Sequence, residues 1–377
     1  MKKILIFVVL MIFMPGNQAF SGGNSLRVAI LKQADKCDLK VKGYYRIKLP
    51  YSEEELIKGK NMFAEVNISC NQISIAGALY NVFGVEIEAK KDGEIYINSR
   101  PYRGKIRFLI DEGKLTVVNI ISLEDYLKGV LQYEVAHWWP MQALMAQAVA
   151  ARTYALYMKD MNKSKIYDLT SNVLSQVYGG KRGERWRIKR AVNKTAGLIL
   201  FYDGKVLPAF YHSTCGGHTD GVAHLWNLDI APLKGVSCDF CRNSKHYRWQ
   251  EKIKIRDFIK TFKQAGYSWE GIDAILVGER YHTGYVKTIQ IFAGDKEYLI
   301  SSKEFRSILG ANVIRSRRFL LEKVKDYIDI RGYGWGHGIG LCQWGAYGMA
   351  KQGYDFRQIL QYYYPASEIK KLSWDED

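Results

Sequence analysis

The sequence has few cysteines and only one long hydrophobic run, and each shortage excludes a class of protein. Six cysteines in 377 residues are too few for a scaffold stapled by many disulfides. One long apolar run, at residues 4–14, and a negative mean hydropathy exclude a protein that crosses a membrane several times. Repeats and low-complexity segments are absent, and an aromatic content of 13% excludes an intrinsically disordered chain. A globular protein remains, of two domains or of one large domain with an insertion.

The first residues have the pattern of an export signal. Lys2 and Lys3 precede the apolar run, which a Pro-Gly pair ends and which is shorter than the about 20 residues that span a bilayer. We therefore predict a signal peptide over residues 1–21, with a small-x-small cleavage site at residues 19–21 (AFS). The alternative is an uncleaved segment that tethers the protein to a membrane. In both cases we expect the protein outside the cytoplasm, in the periplasm, in the cell wall or on the outer side of the inner membrane.

Acidic residues are in the minority. Lys and Arg number 55 and Asp and Glu number 38, which gives a net charge of +17. A basic protein attracts polyanions. For an exported protein these are lipid head groups and cell-wall polymers, so nucleic acid is not an expected partner. The basic residues are scattered along the chain, which is typical of a solvated surface.

The hydrophobic pattern changes its period near Ser122. Before that point alternating apolar and polar residues, separated by turn residues, predict a β-rich N-terminal portion over residues 22–118. Ser122 then has the features of a helix N-cap, and a second helix is predicted from Met141 to about Met161 after Pro140. The predicted fold class is α+β.

The remaining chain, residues 119–377, is predicted to be a mixed helix and strand unit. A smaller inserted α/β subdomain is predicted at about residues 250–330. It should contain a helix from Ile255 to Ala265 and a β-hairpin that turns at Gly294 and Asp295.

Glu134 is the first residue whose surroundings point to chemistry. It lies between two predicted helices and beside Trp138 and Trp139. An apolar aromatic setting disfavours the charged form of a carboxylate and raises its pKa, which suits a general acid that works near neutral pH. The alternative is a surface carboxylate that only interacts favourably with the dipole of the following helix.

Two short pairs of metal-binding residues form a second pattern. Cys215 and His218 are three positions apart, and after nineteen intervening residues Cys238 and Cys241 have the same spacing. Such pairs can form a tetrahedral site for a structural zinc ion. The alternatives are a Cys238–Cys241 disulfide and replacement of His218 by a neighbouring histidine, namely His212, His224 or His246. Cys37 and Cys70 are predicted either to form a disulfide or to be buried thiols. Cys342 is predicted to be a buried thiol.

A glycine-rich segment is the third pattern. Five glycines occupy alternate positions within residues 331–340, which permits positive φ angles and close approach of the backbone. His337 and Gln343 supply polar groups, and Trp335 and Trp344 flank them. This pattern favours the wall of a ligand cleft, and the alternative is a structural turn. The glycines do not have the order of a phosphate-binding loop, so a bound nucleotide is not expected. No other organic cofactor is expected either.

Taken together, these patterns resemble the SpoIID/LytB family, which includes stage II sporulation protein D and the amidase enhancers. The resemblance extends over about residues 100–370. Its blocks are residues 122–130 (SLEDYLKGV), Glu134, 146–155 (AQAVAARTYA), 176–180 (QVYGG), 212–217 (HSTCGG), 305–310 (FRSILG), 334–346 (GWGHGIGLCQWGA) and 363–365 (YYP). Two departures are Gln132 and Tyr133, where small or proline residues are usual, and Cys215, where serine is common.

The resemblance implies a lytic transglycosylase, a lyase that cleaves the MurNAc-GlcNAc bond of peptidoglycan without water and leaves 1,6-anhydroMurNAc ends. It places the general acid and base on Glu134. The residues expected to bind substrate are Gln147, Arg152, Ser213, His337, Gln343 and Trp344. Arg152 would instead lower the pKa of Glu134 if the two formed an ion pair.

Two other functions stay open at this point. The amidase enhancers suggest a non-catalytic protein that binds glycan strands and stimulates an N-acetylmuramoyl-L-alanine amidase. A zinc-stabilised scaffold for anionic polymers is the second alternative, and it would be indifferent to Glu134.

Overall fold

The structure is a computed structural model that describes residues 24–90, 92–172 and 175–372. The predicted signal peptide and its cleavage site lie outside the described residues. No helix within the described ranges is long and apolar enough to cross a membrane. Helices and strands are both abundant, which confirms the α+β class and the β-rich N-terminal portion.

Ten strands form the N-terminal portion. They are β1 (Ser25–Ala34), β2 (Lys36–Lys48), β3 (Glu55–Ser69), β4 (Gln72–Ile75), β5 (Ala78–Tyr80), β6 (Gly84–Ala89), β7 (Glu94–Ile97), β8 (Arg100–Tyr102), β9 (Lys105–Asp111) and β10 (Lys114–Ser122). Alternation decides which side chains enter the core. On β2, Leu39 and Val41 are buried whereas Asp38 and Lys40 are exposed. In the sheet, β1 pairs with β10, followed by β9, β6, β2, β3, β4 and β5.

Two helices follow this sheet, at the places where the sequence predicts them. Helix α1 (Leu123–Glu134) begins at Ser122, whose Oγ accepts a hydrogen bond from the Asp125 N–H at 3.3 Å. Helix α2 (Met141–Met161) is largely buried because its alanines allow close packing, and its bounds match the prediction. The short β11 (Leu169–Thr170) returns to the N-terminal sheet and pairs in parallel with β1.

The rest of the chain alternates short helices and strands. These are α3 (Trp186–Lys194), β12 (Leu198–Tyr202), β13 (Lys205–Val206), β14 (Tyr211–His212), α4 (Ala223–Trp226), β15 (Arg248–Lys254), α5 (Ile255–Gln264), β16 (Ala274–Val277), β17 (Thr288–Ala293), β18 (Lys296–Ser301), α6 (Ser302–Leu309), β19 (Phe319–Val324), β20 (Tyr327–Tyr333), β21 (Leu341–Cys342), α7 (Gln343–Lys351), α8 (Phe356–Tyr363) and β22 (Glu368–Lys371). Single 3₁₀ turns lie at Gly180–Gly183 and Ala231–Leu233.

The buried side chains form two separate hydrophobic clusters. One extends from Leu26 in the first strand to Leu372 near the end of the described chain. The other contains only residues between Trp249 and Ile330, including the stacked Phe258 and Phe262. The predicted hairpin is confirmed, since β17 and β18 pair across Gly294 and Asp295. The domain boundaries predicted from the sequence, at residues 22–118, 119–377 and about 250–330, remain predictions.

Candidate active site

A parallel pairing of two very short strands builds the site. β14 lies beside β21, so that Tyr211 faces Leu341 and His212 faces Cys342. The glycine-rich segment leads directly into β21. Gly340 has a φ of +69°, and any side chain there would collide with the carbonyl oxygen of Phe210. The two distant sequence blocks can therefore lie side by side only because glycine occupies this position.

A cavity of about 560 Å³ opens between these blocks and the end of α1. Its walls are mainly aromatic and polar. The lining residues are Tyr133, Glu134, Tyr154, Ser175, Val177, Phe210, Tyr211, His212, Ser213, Trp226, Trp335, Gly336, His337 and Gln343. The structure thus brings Glu134 to the same cavity as three of the six predicted substrate-binding residues, Ser213, His337 and Gln343.

Glu134 is the last residue of α1 and is half-buried at the cavity wall. Burial raises the pKa of its carboxyl group to about 7. Three hydrogen bonds to the carboxylate lower this pKa, but their effect is smaller than that of burial. They come from the Val177 N–H, the Gln343 side chain and the Tyr211 hydroxyl. Gln343 Nε2 lies 3.5 Å from Glu134 Oε2. A carboxyl group whose pKa lies near neutral pH can both give and take a proton.

Tyr211 reaches this carboxylate with its hydroxyl already oriented. Its oxygen accepts a hydrogen bond from Gln176 Nε2 at 2.8 Å, and Gln176 is itself fully buried and donates to the Ala151 carbonyl oxygen at 3.2 Å. With its oxygen engaged, the hydroxyl proton of Tyr211 is left to face Glu134. Sequence patterns did not identify Tyr211, although it directly precedes the 212–217 block.

Within the cavity lining that the structure describes, Glu134 is the only carboxylate. The two acidic residues at the start of α1 point elsewhere. Asp125 pairs with Lys128 on the helix surface at 2.8 Å. Glu124 forms an ion pair with Arg152. A site with one carboxylate departs from the two-carboxylate arrangement of most glycosidases.

The prediction that Arg152 binds substrate or pairs with Glu134 is wrong. Its guanidinium group is fully buried, donates to both carboxylate oxygens of Glu124 at 2.8 Å, and also reaches the carbonyl oxygens of Val192 and Leu198. Arg152 therefore joins α1, α2, α3 and β12. The sequence could not reveal this because the partners come from three other segments of the chain.

Two further predicted substrate ligands do not reach the cavity. Gln147 is 1% exposed in the middle of α2, away from the lining. Trp344 packs edge-on against Trp139, with ring centroids 5.3 Å apart, and is not among the lining residues. Helical position explains both cases, since each side chain lies on a face that packs against a neighbouring element.

His337 lines the cavity but has no free hydrogen-bonding nitrogen. Its Nδ1 accepts from the Ile339 N–H at 3.0 Å, so the proton is on Nε2, which donates to the Tyr211 carbonyl oxygen at 2.9 Å. Burial lowers its pKa to about 3 and keeps the ring neutral. Neither ring nitrogen of His337 is therefore left for a ligand, and the expectation that it forms hydrogen bonds with substrate is corrected.

An aromatic wall faces these polar groups, and sequence patterns missed it. Phe210 and Trp226 are stacked with centroids 4.4 Å apart and ring planes 28° apart. The His337 ring is inclined to both of these rings, with its centroid 5.3 Å from that of Trp226 and 6.3 Å from that of Phe210. Because aromatic faces pack well against the apolar faces of sugar rings, this wall suits a carbohydrate. Trp226 lies on the one-turn helix α4, whose sequence has no distinctive spacing.

Four buried cysteines form a second centre. The sulfur atoms of Cys215, Cys238, Cys241 and Cys342 all lie within 4.8 Å of one another, and all six cysteines of the chain are unpaired as thiols. Three of the four agree with the sequence prediction. The fourth is Cys342 and not His218, whose Nδ1 lies 2.6 Å from the carbonyl oxygen of Thr219. The β14–β21 pairing explains the correction, because it places Cys342, which follows the end of the glycine-rich segment, next to the 212–217 block.

The geometry of the four sulfur atoms fits a tetrahedral metal ion. At a Zn–S distance of about 2.3 Å, tetrahedral sulfur ligands are about 3.8 Å apart. Cys215 Sγ and Cys241 Sγ are 3.5 Å apart. The N–H groups of Cys215 and Gly345 both lie 3.3 Å from Cys342 Sγ, which is the kind of interaction that stabilises a thiolate ligand. His212, His224 and His246 are not part of the group.

Two family models and several known proteins match this sequence. The family model described as Stage II sporulation protein matches residues 111–202, and one described as Domain of unknown function (DUF8618) matches residues 235–340. An uncharacterized protein from Brachyspira hyodysenteriae is 33% identical over 354 residues, which is 93% of this chain and 94% of that protein.

Two relatives have descriptive names. Stage II sporulation protein D from Bacillus subtilis is 29% identical over 273 residues, covering 67% of this chain and 76% of that protein. The Amidase enhancer from Bacillus subtilis is 28% identical over 292 residues, covering 64% of this chain and 40% of that protein. The chain belongs to the SpoIID/LytB family.

Proposed function

We propose that this protein is a peptidoglycan lytic transglycosylase in which Glu134 acts as general acid and then as general base. The observation that carries the proposal is a single carboxyl group, with its pKa raised to about 7, in a cavity with an aromatic wall. A hydrolase would require a second carboxylate for its nucleophile or its water. A lytic transglycosylase requires only one.

The reaction follows from the two protonation states of Glu134. The protonated carboxyl group donates its proton to the glycosidic oxygen between MurNAc and GlcNAc as the bond to C1 breaks. The resulting carboxylate accepts the proton of the muramyl O6 hydroxyl, and O6 bonds to C1 to close the 1,6-anhydro ring. Glu134 is protonated again and no water is consumed. Gln343 and Tyr211 stabilise the intermediate carboxylate through their hydrogen bonds.

The test is digestion of glycan strands that lack stem peptides, with mass spectrometry of the products. We expect anhydromuramyl ends with the wild-type protein and a loss of about 10²–10⁴-fold in rate for Glu134→Gln. Asp125→Asn is the matched control, because it removes a neighbouring carboxylate that lies outside the cavity, and it should retain activity. If the wild-type protein binds glycan strands but produces no anhydromuramyl ends, the proposed lytic transglycosylase activity is excluded.

The Amidase enhancer relative favours one alternative, a non-catalytic protein that binds glycan strands and stimulates an N-acetylmuramoyl-L-alanine amidase. This alternative predicts that Glu134→Gln stimulates the amidase as strongly as the wild-type protein does. If the protein is a lytic transglycosylase, any stimulation of the amidase should require the Glu134 carboxyl group, because cleaved strands would be the better amidase substrate.

We also propose that the four-cysteine cluster binds one structural zinc ion. Four protein ligands leave no open position for a substrate, so the ion would join the 212–217 block, β21 and the 238–241 segment. The proposed place of action is outside the cytoplasm, where peptidoglycan lies, with export directed by residues 1–21. An uncleaved signal would add a membrane tether.

A further inference from the structure

Trp226, one of the two stacked rings of the aromatic wall, lies on a helix that has little stability of its own. Helix α4 is a single turn whose start has no side-chain cap, and none of its four residues is fully buried. Asn227, which ends the helix, has a left-handed φ of +54°. Because a helix of one turn is unstable without tertiary contacts, contacts from outside α4 are needed to hold Trp226 in the wall.

His224, two residues before Trp226, makes such contacts. Its Nδ1 lies 2.6 Å from Asp220 Oδ1, and its ring is stacked on that of Tyr281, with centroids 3.7 Å apart and planes 7° apart. A carboxylate oxygen can only accept, so Nδ1 carries the proton and donates it. Residues two positions apart on a helix point about 200° from each other. Contacts that fix His224 on one side of α4 therefore also fix the direction of Trp226 on the other.

Both partners of His224 connect α4 to residues 249–330, the segment that contains the second hydrophobic cluster. Asp220 is fully buried and accepts hydrogen bonds from the Thr283 hydroxyl at 2.7 Å and from the Arg317 guanidinium at 2.5 Å. Removing one partner of such a buried pair is strongly destabilising, so the junction is firm. Tyr281, Thr283 and Arg317 all belong to the 249–330 segment, and none of them lines the cavity.

We propose that His224 is a positioning residue through which the 249–330 segment holds Trp226 in the aromatic wall. The segment thus shapes the place where a sugar ring packs, although it contributes no side chain to the cavity lining that the structure describes. This inference rests on the proposed function, since it assumes that the cavity accepts a glycan strand.

The experiment measures the affinity for chitotetraose, a neutral glycan probe, by calorimetry. Tyr281→Ala removes the ring on which His224 is stacked and should weaken binding about three- to tenfold, the range for the loss of one aromatic contact. Tyr281→Phe keeps the ring and should restore the wild-type affinity. Tyr327→Ala is the matched control, since Tyr327 is an exposed tyrosine of the same segment that makes no ring contact with α4 within the described chain.

A double variant separates positioning from a general loss of structure. If Tyr281 acts through Trp226, Trp226→Ala should weaken binding at least as much as Tyr281→Ala, and the two together should weaken it no further than Trp226→Ala alone. Additive losses, or a wild-type affinity in Tyr281→Ala, would overturn the proposal. Should Tyr281→Ala not fold, His224→Asn tests the same contact, because asparagine can still donate to Asp220 but has no ring to stack. It should show the same loss of affinity, and an unchanged affinity would overturn the proposal.

The outcomes also separate this inference from the proposed reaction. If Tyr281→Ala loses affinity as expected but the wild-type protein produces no anhydromuramyl ends, the enzyme is refuted and the positioning role is retained. If the wild-type protein produces such ends but Tyr281→Ala binds chitotetraose as tightly as the wild type, the positioning role is refuted and the enzyme is retained. A wild-type protein without measurable affinity for chitotetraose would also refute the positioning role.

Discussion

Replacement of Glu134 by glutamine should stabilise the protein above neutral pH. Burial raises the pKa of the carboxyl group in the folded protein from 4.5 to about 7. The folded state therefore retains a proton that the unfolded chain has released between these two values, and the free energy of unfolding falls as the pH rises through this window. At about 1.4 kcal/mol per pH unit, the full rise corresponds to about 3 kcal/mol. Glutamine does not titrate and so avoids this loss.

Urea unfolding at pH 4.5 and pH 8 measures the effect. We expect the free energy of unfolding of Glu134→Gln, relative to the wild-type protein, to be higher at pH 8 than at pH 4.5 by about 3 kcal/mol. Asp125→Asn removes a carboxyl group that is paired with Lys128 on the helix surface, so its difference from the wild type should change much less. A difference for Glu134→Gln that stays constant between the two pH values would show that Glu134 titrates normally, and the basis for its acid role would be lost.

Three other predictions follow from the contacts of the site. Glu124→Gln leaves the buried Arg152 guanidinium without its carboxylate partner and should lower the free energy of unfolding by about 3–5 kcal/mol in urea titrations. A decrease of less than about 1 kcal/mol, which is typical of an exposed ion pair, would contradict a buried pair. The wild-type protein should contain about one zinc ion per chain, and Cys342→Ser should lower both this zinc content and the melting temperature. Replacement of the exposed Cys70 by serine should change neither quantity. An unchanged zinc content in Cys342→Ser would refute the four-cysteine site. Tyr211→Phe removes a hydrogen bond that lowers the pKa of the Glu134 carboxyl group. If Glu134 is the general acid, the alkaline limb of the activity profile should move to higher pH, and a move to lower pH would refute this orientation of the hydroxyl.

Local signals in the sequence predicted local structure well. The N-cap at Ser122 and the span of α2 are confirmed because capping and helical periodicity depend on residues within a few positions. The hairpin at residues 294–295 is confirmed for the same reason. Glu134 lies between two helices, as the sequence predicts, and the structure adds that it lines the same cavity as the glycine-rich segment.

The errors concern contacts between distant segments. Cys342 has no second ligand nearby in sequence, so only the β14–β21 pairing reveals it as the fourth member of the cysteine cluster. Glu124 and Arg152 are 28 positions apart on different helices, and neither residue alone indicates an ion pair. The prediction that His337 binds substrate through a ring nitrogen was also wrong, because backbone groups bind both nitrogens. Residue type and spacing indicate chemistry, but the tertiary fold decides which groups are already satisfied.

Digestion of purified glycan strands in water enriched in heavy oxygen tests the central claim most directly. If Glu134 directs the muramyl O6 hydroxyl onto C1, the wild-type protein will produce 1,6-anhydromuramyl ends that contain no heavy oxygen. Reducing ends that carry heavy oxygen would contradict this account, because water and not O6 would then have attacked the sugar.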